Sequence, residues 1–265
     1  GGLIDMVWQQ EPELIVWFVH NDGRLVGLTY DRANAAIGWH DHDIGGSGIV
    51  ESVTAIPSGA EDQVYVSVKR TINGATVRHV EYLKPIEFGD DVEDAFYLDS
   101  GLTYDGSATT TISGLNHLEG ETVSILADGS THADKVVSGG RVTLDRSASK
   151  VHLGYGYTST IETLRLEAGA DDGIAQGKIK RIHGVTARFF KTVGAELGPD
   201  LNNLDRLPFR DSSMAMNQAV PLFTGDKEIY FPSGYETDAR VIVRQSQPLP
   251  MTVLAIMRRS NTFDA

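Results

Sequence analysis

Two stretches of this sequence carry the same pattern, a pair of apolar runs joined by a tight turn. Residues 14–20 (LIVWFVH) and 25–30 (LVGLTY) flank an Asp-Gly turn, and residues 63–70 (QVYVSVKR) and 76–83 (TVRHVEYL) flank an Asn-Gly turn. These dipeptides supply the positive φ angles that tight hairpin turns need. Each stretch therefore predicts a β-hairpin.

The two hairpins recur at the spacing of a repeat protein. Ile15 and Val64 are 49 residues apart, near the upper end of the roughly 40–50-residue period of propeller blades. Repeat arrays need about three or more units to bury their faces, so either further blades lie upstream or the two sheets pack on each other or on the rest of the chain. We favour further upstream blades. Alternation predicts two buried faces, formed by Ile15, Trp17 and Val19 and by Val64, Val66 and Val68.

The sequence predicts an all-β protein of three domains. Residues 1–85 hold incomplete propeller-like antiparallel sheets. Residues 86–164 comprise an acidic linker and short strands between glycine turns, which indicate a small barrel or a sandwich; we expect a small β-barrel. Residues 165–265 are interpreted as a C-terminal β domain that serves as a platform or interface.

The C-terminal domain carries three further expectations. Residues 178–191 predict a strand on which alternate residues from Ile179 to Phe189 share one face. Residues 200–207 contain the one predicted helical turn, and residues 208–226 predict a long irregular loop. Further strands are predicted near residues 228–231, 239–245 and 251–257.

Composition excludes several classes of function. None of the 265 residues is cysteine, which excludes thiol nucleophiles, disulfides and Cys-ligated zinc and fits assembly in a reducing cytoplasm. Acidic residues outnumber basic ones by 36 to 23, for a net charge of −13, whereas nucleic-acid readers normally present a basic face. We expect no membrane span, since no apolar run reaches roughly 20 residues. The Gly1-Gly2 start predicts a fragment, a processed form or a tagged protein.

His40 and His42 are the candidate metal ligands, because alternate residues of a strand point the same way. A third ligand does not follow nearby, and the next residues, Gly45-Gly46-Ser47-Gly48, indicate a mobile loop. Two interpretations stay open for the pair, a metal site and a solvated strand end. We expect no bound metal and no cofactor.

Three motifs lack the spacing that catalysis needs. The Gly45–Gly48 motif lacks the second glycine of a nucleophile elbow, and the segment from Gly173 to Lys178 lacks the leading glycine and the following Ser or Thr of a phosphate loop. The carboxylates Asp90, Asp91, Glu93 and Asp94 crowd into one stretch, whereas a glycosidase pair faces across a cleft. We expect no catalytic residues and no enzyme activity.

Tryptophans and arginines are the remaining candidates for binding. Trp17 shares a face with core residues, whereas Trp8 and Trp39 could stack on sugars or pack in the core. Basic residues of the third domain indicate a subunit interface or, alternatively, a solvated strand face. The candidate interface residues are Arg181, Arg188, Arg206 and Arg210.

Short motifs occur in one order through nearly the whole chain. In the first domain they are Trp8-Gln9-Gln10-Glu11-Pro12, Asp22-Gly23-Arg24-Leu25, Gly27-Leu28-Thr29-Tyr30, Gly38-Trp39-His40 and Ile56-Pro57-Ser58-Gly59. In the last domain they are Pro221-Leu222-Phe223-Thr224-Gly225-Asp226 and Pro248-Leu249-Pro250-Met251. These motifs resemble the C-terminal half of the tail nozzle (tail tubular, stabilisation) proteins of short-tailed phages. The middle motifs, Leu118-Glu119-Gly120-Glu121 and Gly154-Tyr155-Gly156-Tyr157, are similar to the small β-domain named after ubiquitin-activating enzymes, which recurs in phage tail proteins.

The resemblance implies a structural role in a virion tail, with assembly in the host cytoplasm. Nozzle proteins form a ring, generally of six copies, around the DNA channel, so the implied partners are further copies of the chain and a tail adaptor protein. DNA passes without sequence-specific binding. Two other classes stay open, a carbohydrate-binding or depolymerising module and a metal-dependent enzyme centred on His40 and His42.

Overall fold

The computed structural model describes residues 2–167, 169–170, 173–174, 177–231 and 233–263. These residues form an all-β protein built from antiparallel sheets, as the sequence predicts. Two compact units divide the chain. The first contains the described residues up to Gly89 together with Phe96–Tyr157, and the second contains Asp90–Ala95 together with the described residues from Thr158 onward. The expected domains 1–85 and 86–164 thus fall largely within the first unit.

The first unit begins with a four-stranded meander. Its strands, in the order β1-β2-β3-β4, are β1 (Leu3–Gln9), β2 (Ile15–His20), β3 (Leu25–Asp31) and β4 (Ala36–His42). The predicted first hairpin is confirmed, since Val19 pairs with Leu25 across the turn. Gly23 has a φ of 90° there, a conformation that favours glycine.

A three-stranded meander follows and packs on the first. Its strands, in the order β5-β6-β7, are β5 (Ile49–Ser58), β6 (Glu61–Ile72) and β7 (Ala75–Tyr82). Asn73 and Gly74 both have positive φ, as a type I′ hairpin turn requires. The predicted buried faces of β2 and β6 form one hydrophobic core, so the two sheets pack on each other. This core contains Ile15, Trp17, Val19, Leu25, Val50, Val53, Val64, Val66 and Val68.

The third sheet of the first unit is open. Its strand order is β10-β9-β11-β8, with β8 (Asp99–Ser113), β9 (Thr122–Ala127), β10 (Ser130–Val136) and β11 (Arg141–Tyr155). The predicted small barrel is wrong, because no sheet among the described residues closes into a barrel. Strand β11 is 15 residues long, in contrast to the short strands that the sequence predicts for this domain, because it stays paired with β8 across three register shifts.

The second unit contains two larger sheets and a short ribbon. One sheet has the order β12-β19-β16-β17, the other has the order β18-β15-β20, and β13 pairs with β14. The strands are β12 (Ser159–Glu162), β13 (Gly169–Ala170), β14 (Gly173–Ile174), β15 (Ile179–Thr192), β16 (Glu196–Asp200), β17 (Asn203–Arg206), β18 (Phe223–Tyr230), β19 (Ile242–Gln245) and β20 (Thr252–Phe263).

Two predictions for the second unit are wrong in detail. The predicted helical turn over residues 200–207 is the β16–β17 hairpin, because the Asp200 carboxylate accepts hydrogen bonds from the Asn202 backbone and the Asn203 side chain and so stabilises a turn. Strand β15 does not keep one buried face. A register shift against β20 leaves His183 as an extra residue, so the buried side changes from Ile182 to Val185.

The helical segments among the described residues are three short 3-10 turns: Gly45–Ser47, Val92–Asp94 and Asn116–Leu118. In this part of the chain no helix has the length and apolar character needed to cross a membrane. The irregular loop predicted from residue 208 extends to residue 222, after which β18 begins.

Candidate functional site: an apolar sheet face

The β1–β4 sheet is apolar on both faces. Residues between those of the core alternate to the opposite side, where neighbouring strands place them in rows across the sheet. One row pairs Trp8 with Val16, Val16 with Leu28, and Leu28 with Trp39. We call this side the outer face; it consists of Met6, Trp8, Val16, Phe18, Val26, Leu28, Tyr30, Ile37 and Trp39.

The outer face is exposed at its edge strands. Met6 on β1 is 67% exposed, and Ile37 and Trp39 on β4 are 66% and 64% exposed. The face spans four strands about 4.8 Å apart and two to three alternate positions on each, roughly 300 to 400 Å² of sheet. The largest apolar patch of a typical monomer has about this size and is often functional.

The aromatic rings of the outer face are arranged within the sheet. Phe18 and Trp39 lie with their ring centroids 5.5 Å apart. Phe18 itself is buried among its neighbours, whereas Trp39 projects from the edge strand. Trp39, Met6 and Ile37 are therefore the most accessible side chains of this face.

Charged groups border one end of the outer face. The guanidinium of Arg24 contacts Asp22 at 3.0 Å and Asp41 at 3.3 Å. A hydrogen bond from His20, with a smaller contribution from Arg24, holds the pKa of Asp22 well below its usual range. An apolar centre with a polar rim is the usual arrangement of a protein interface.

The two candidate metal ligands lie together near the edge of the same sheet. His40 Nδ1 and His42 Nε2 are 2.7 Å apart, so one ring donates a hydrogen bond to the other, and His40 Nε2 lies 3.2 Å from the Thr29 hydroxyl. The Trp17 ring packs against both imidazoles. Among the described residues, no cluster of three or more His, Asp or Glu side chains could hold a metal ion.

Burial determines the charge state of this histidine pair. It lowers the pKa of His40, and together with repulsion from His40 it lowers the pKa of His42 to about 4. Both rings are therefore neutral at pH 7, and two neutral imidazoles can share one hydrogen bond. The half-buried pair is a packed part of the sheet, which differs from the solvated strand end considered from the sequence.

The four candidate interface arginines each engage a partner within the second unit. Arg188 forms two hydrogen bonds with Asp226, at 2.7 and 2.8 Å. Arg206 contacts Glu196, which is buried and also binds Arg244.

The other two arginines act on side-chain rings and loop carbonyls. Arg181 lies over the Tyr235 ring, 5.4 Å from its centroid. Arg210 donates to the carbonyls of Ala215 and Gln218 inside the 207–222 loop. These contacts give each arginine a role in its own fold, and the interface role stays a prediction.

Two sequence motifs remain, the near-match to a phosphate loop and the acidic stretch at residues 90–94. Within the predicted near-match to a phosphate loop, Ala175 and Gln176 lie outside the described residues. In the acidic stretch, Asp90 lies 3.1 Å from Lys191.

The sequence analysis missed the outer face, although a signal for it exists. Residues 14–19 are apolar without interruption, and such runs are typical of strands buried on both faces. Alternation alone accounted for only the inner half of that run.

No model of a known protein family matches this sequence, and no curated protein matches it either.

Proposed function

We propose that this chain is a non-catalytic structural component of a short-tailed phage tail, in the nozzle region around the DNA channel. The ordered motifs described under Sequence analysis support this role, and so does an all-β architecture of stacked sheets. In this proposal the chain assembles into a ring, generally of six copies, and the ring binds a tail adaptor protein.

The observation that carries the proposal is the β1–β4 sheet with two apolar faces. The valine-rich strands β5 and β6 cover its inner face, while Met6, Ile37 and Trp39 remain exposed on the outer face. We infer that the outer face is covered in the assembled tail by a further blade-like antiparallel sheet with an aliphatic face. The inner face is covered by an antiparallel sheet with valine side chains. Because the outer face also presents apolar side chains, a second sheet of this kind is the partner that we expect there.

The net charge of −13 supports a further part of the proposal. A channel wall with negative charge repels DNA phosphates, so a genome would slide past without binding. A charge map of the assembled ring tests this hypothesis, and an uncharged or basic lumen would refute it.

Two experiments on phage particles, purified from cells that produce this chain, test the function. Antibodies against the purified chain should label the tail tip in immuno-electron microscopy; particles free of the chain would overturn the proposal. A photo-cross-linking amino acid in place of Trp39 should join the outer face to a β-sheet in the particle. The same group in place of Thr54, exposed on the β5–β7 sheet, is the matched control and should give fewer such products.

The second candidate function is carbohydrate binding. It is favoured by Trp8 and Trp39, which are exposed on the same face and could stack on sugar rings. Sugar sites also need polar groups beside the rings, and the rows of the outer face consist mainly of apolar side chains. A glycan array with the purified chain and with a Trp39→Ala variant separates the two functions, because Trp39-dependent binding to a defined glycan would favour the second.

A further inference from the structure

The glycine-rich motif after β4 is anchored, in contrast to the mobile loop that the sequence indicates. Gly45 begins a 3-10 turn and is buried. Its backbone N–H donates to Asp99 Oδ2 at 2.6 Å, and its carbonyl accepts a hydrogen bond from Arg70 Nη1. Both polar groups of this glycine are therefore held by ionisable side chains from other strands.

The turn packs against Asp99, Tyr155 and Gly156 so closely that its first two positions require glycine. We call this packing site the seat. A Cβ atom on Gly45 would lie 2.9 Å from the Gly156 carbonyl oxygen and 2.9 Å from Tyr155 Cβ, and one on Gly46 would lie 2.6 Å from the Tyr155 ring. Gly46 also has a φ of 64°. Contacts this close leave no room for a methyl group, so the seat and the turn are complementary in shape.

Charged and titratable groups surround Asp99 in this seat. From β6, the charge of Arg70 acts on Asp99, and Arg70 binds Glu81 of β7 through two hydrogen bonds, at 2.9 and 3.0 Å. The Tyr155 ring lies 5.2 Å from the Arg70 guanidinium. The phenol of Tyr157 interacts with Asp99, and Tyr97 interacts in turn with Tyr157.

The environment of Asp99 favours its neutral form. Burial raises the pKa of Asp99 to about 6, with a further increase from Glu81, while the Gly45 N–H and Arg70 act in the opposite direction. Burial and the nearby Asp99 charge also raise the pKa of Tyr157, so this phenol stays neutral at physiological pH.

We propose that residues 44–48 form a pH-responsive latch, seated against Asp99 and loosened when Asp99 ionises. This inference does not depend on the phage-tail function. Asp99 is half-buried while the turn is seated; when the turn leaves its seat, Asp99 becomes more exposed to water and its pKa returns toward the ordinary value of about 3.9. The seated state then binds more protons between pH 4 and pH 6, so seating is most favourable below that window.

The difference between the two pKa values of Asp99 sets how strongly the seating equilibrium depends on pH. Each unit of pKa difference is a factor of ten in the seating equilibrium. The change from 3.8 to about 6 therefore corresponds to a loss of up to about a hundredfold as the pH rises through this window.

Amide hydrogen exchange of the whole chain tests the latch. Protection of the Gly45 amide, corrected for the intrinsic exchange rate, should fall by up to about a hundredfold between pH 4 and pH 7. Core amides such as that of Leu126 should not follow this change. An Asp99→Asn variant keeps an acceptor for the Gly45 N–H and cannot ionise, so its protection should be independent of pH.

Two further variants make the test specific. Asp105→Asn removes an exposed carboxylate of the same strand and should keep the wild-type profile. Gly46→Ala should lower protection at every pH, because the added methyl group meets the Tyr155 ring. A flat profile for the wild-type chain, a pH-dependent one for Asp99→Asn, or a flattened one for Asp105→Asn would each overturn the latch.

Discussion

Trp17 and His42 pack ring against ring, with their centroids 4.8 Å apart. The same indole donates its N–H to Gln9 Oε1 at 2.7 Å. The ring therefore connects the edge strand β4 to β1 across the inner side of the sheet. Burial beside this ring, together with repulsion from His40, lowers the pKa of His42.

The pH dependence of stability should report His42. Its pKa is about 4 in the folded protein against 6.5 normally, so the unfolded chain takes up the proton first and stability falls as the pH drops from 6.5 through 4. The loss is at most about 3 kcal/mol. A His42→Gln variant should show a smaller acid loss in urea denaturation at pH 7 and pH 4.5.

The exposed His183 of the β15 bulge provides the control for this experiment. A His183→Gln variant should keep the wild-type acid loss. Parallel pH profiles for wild type and His42→Gln would contradict the assignment.

The two faces of the β1–β4 sheet should respond differently to substitution. Trp17 is 5% exposed, and Trp17→Ala should cost about 3–5 kcal/mol of unfolding free energy. Trp39→Lys removes an exposed ring and should change stability by less than about 1 kcal/mol, while lowering the binding of a hydrophobic dye. Equal destabilisation by the two variants, measured by urea denaturation, would show that Trp39 is a core residue.

Two strand glycines form a matched pair for testing the β16–β17 hairpin. A Cβ on Gly198 would lie 1.8 Å from the backbone oxygen of Asn203, whereas one on Gly38 would meet nothing within 4 Å. We expect Gly198→Ala to destabilise the second unit by more than about 2 kcal/mol and Gly38→Ala to be neutral or slightly stabilising. Thermal unfolding of both variants measures this, and similar midpoints would refute the close approach.

The two arginines that bind Glu196 should contribute unequally to the free energy of unfolding. Glu196 binds Arg244 at 2.8 Å and Arg206 at 3.3 Å, and the Arg206 side chain is 71% exposed. Arg206→Met should therefore cost less than about 1 kcal/mol, and Arg244→Met about 1–3 kcal/mol. Urea denaturation compares them, and a larger effect at Arg206 would reverse this assignment.

Local patterns predicted the meanders of the first unit because their turns are encoded in dipeptides. Asn73 and Gly74 fix the β6–β7 turn, and alternation then fixes which valines are buried. The helical turn predicted over residues 200–207 failed because an Asp-x-Asn segment can equally close a hairpin once flanking strands pair.

The candidate sites depend on contacts that no local pattern contains. The seat of Gly45 needs Arg70 and Asp99, which lie 25 and 54 residues further along the chain. Likewise, the buried side of β15 changes because a bulge forms against β20. The sequence near His183 contains no pattern that predicts this bulge. The pairing of His40 with His42 was predictable, since it needs only the two-residue period of a strand.

The pairing of β12 with β19 has a consequence for folding. Ser159 pairs with Gln245, which lies 86 residues further along the chain. During synthesis β12 stays unpaired with β19 until those residues have been made. Because such distant closures are slow and leave strand edges open, we expect this unit to fold slowly and to be a source of misfolding when the protein is made quickly.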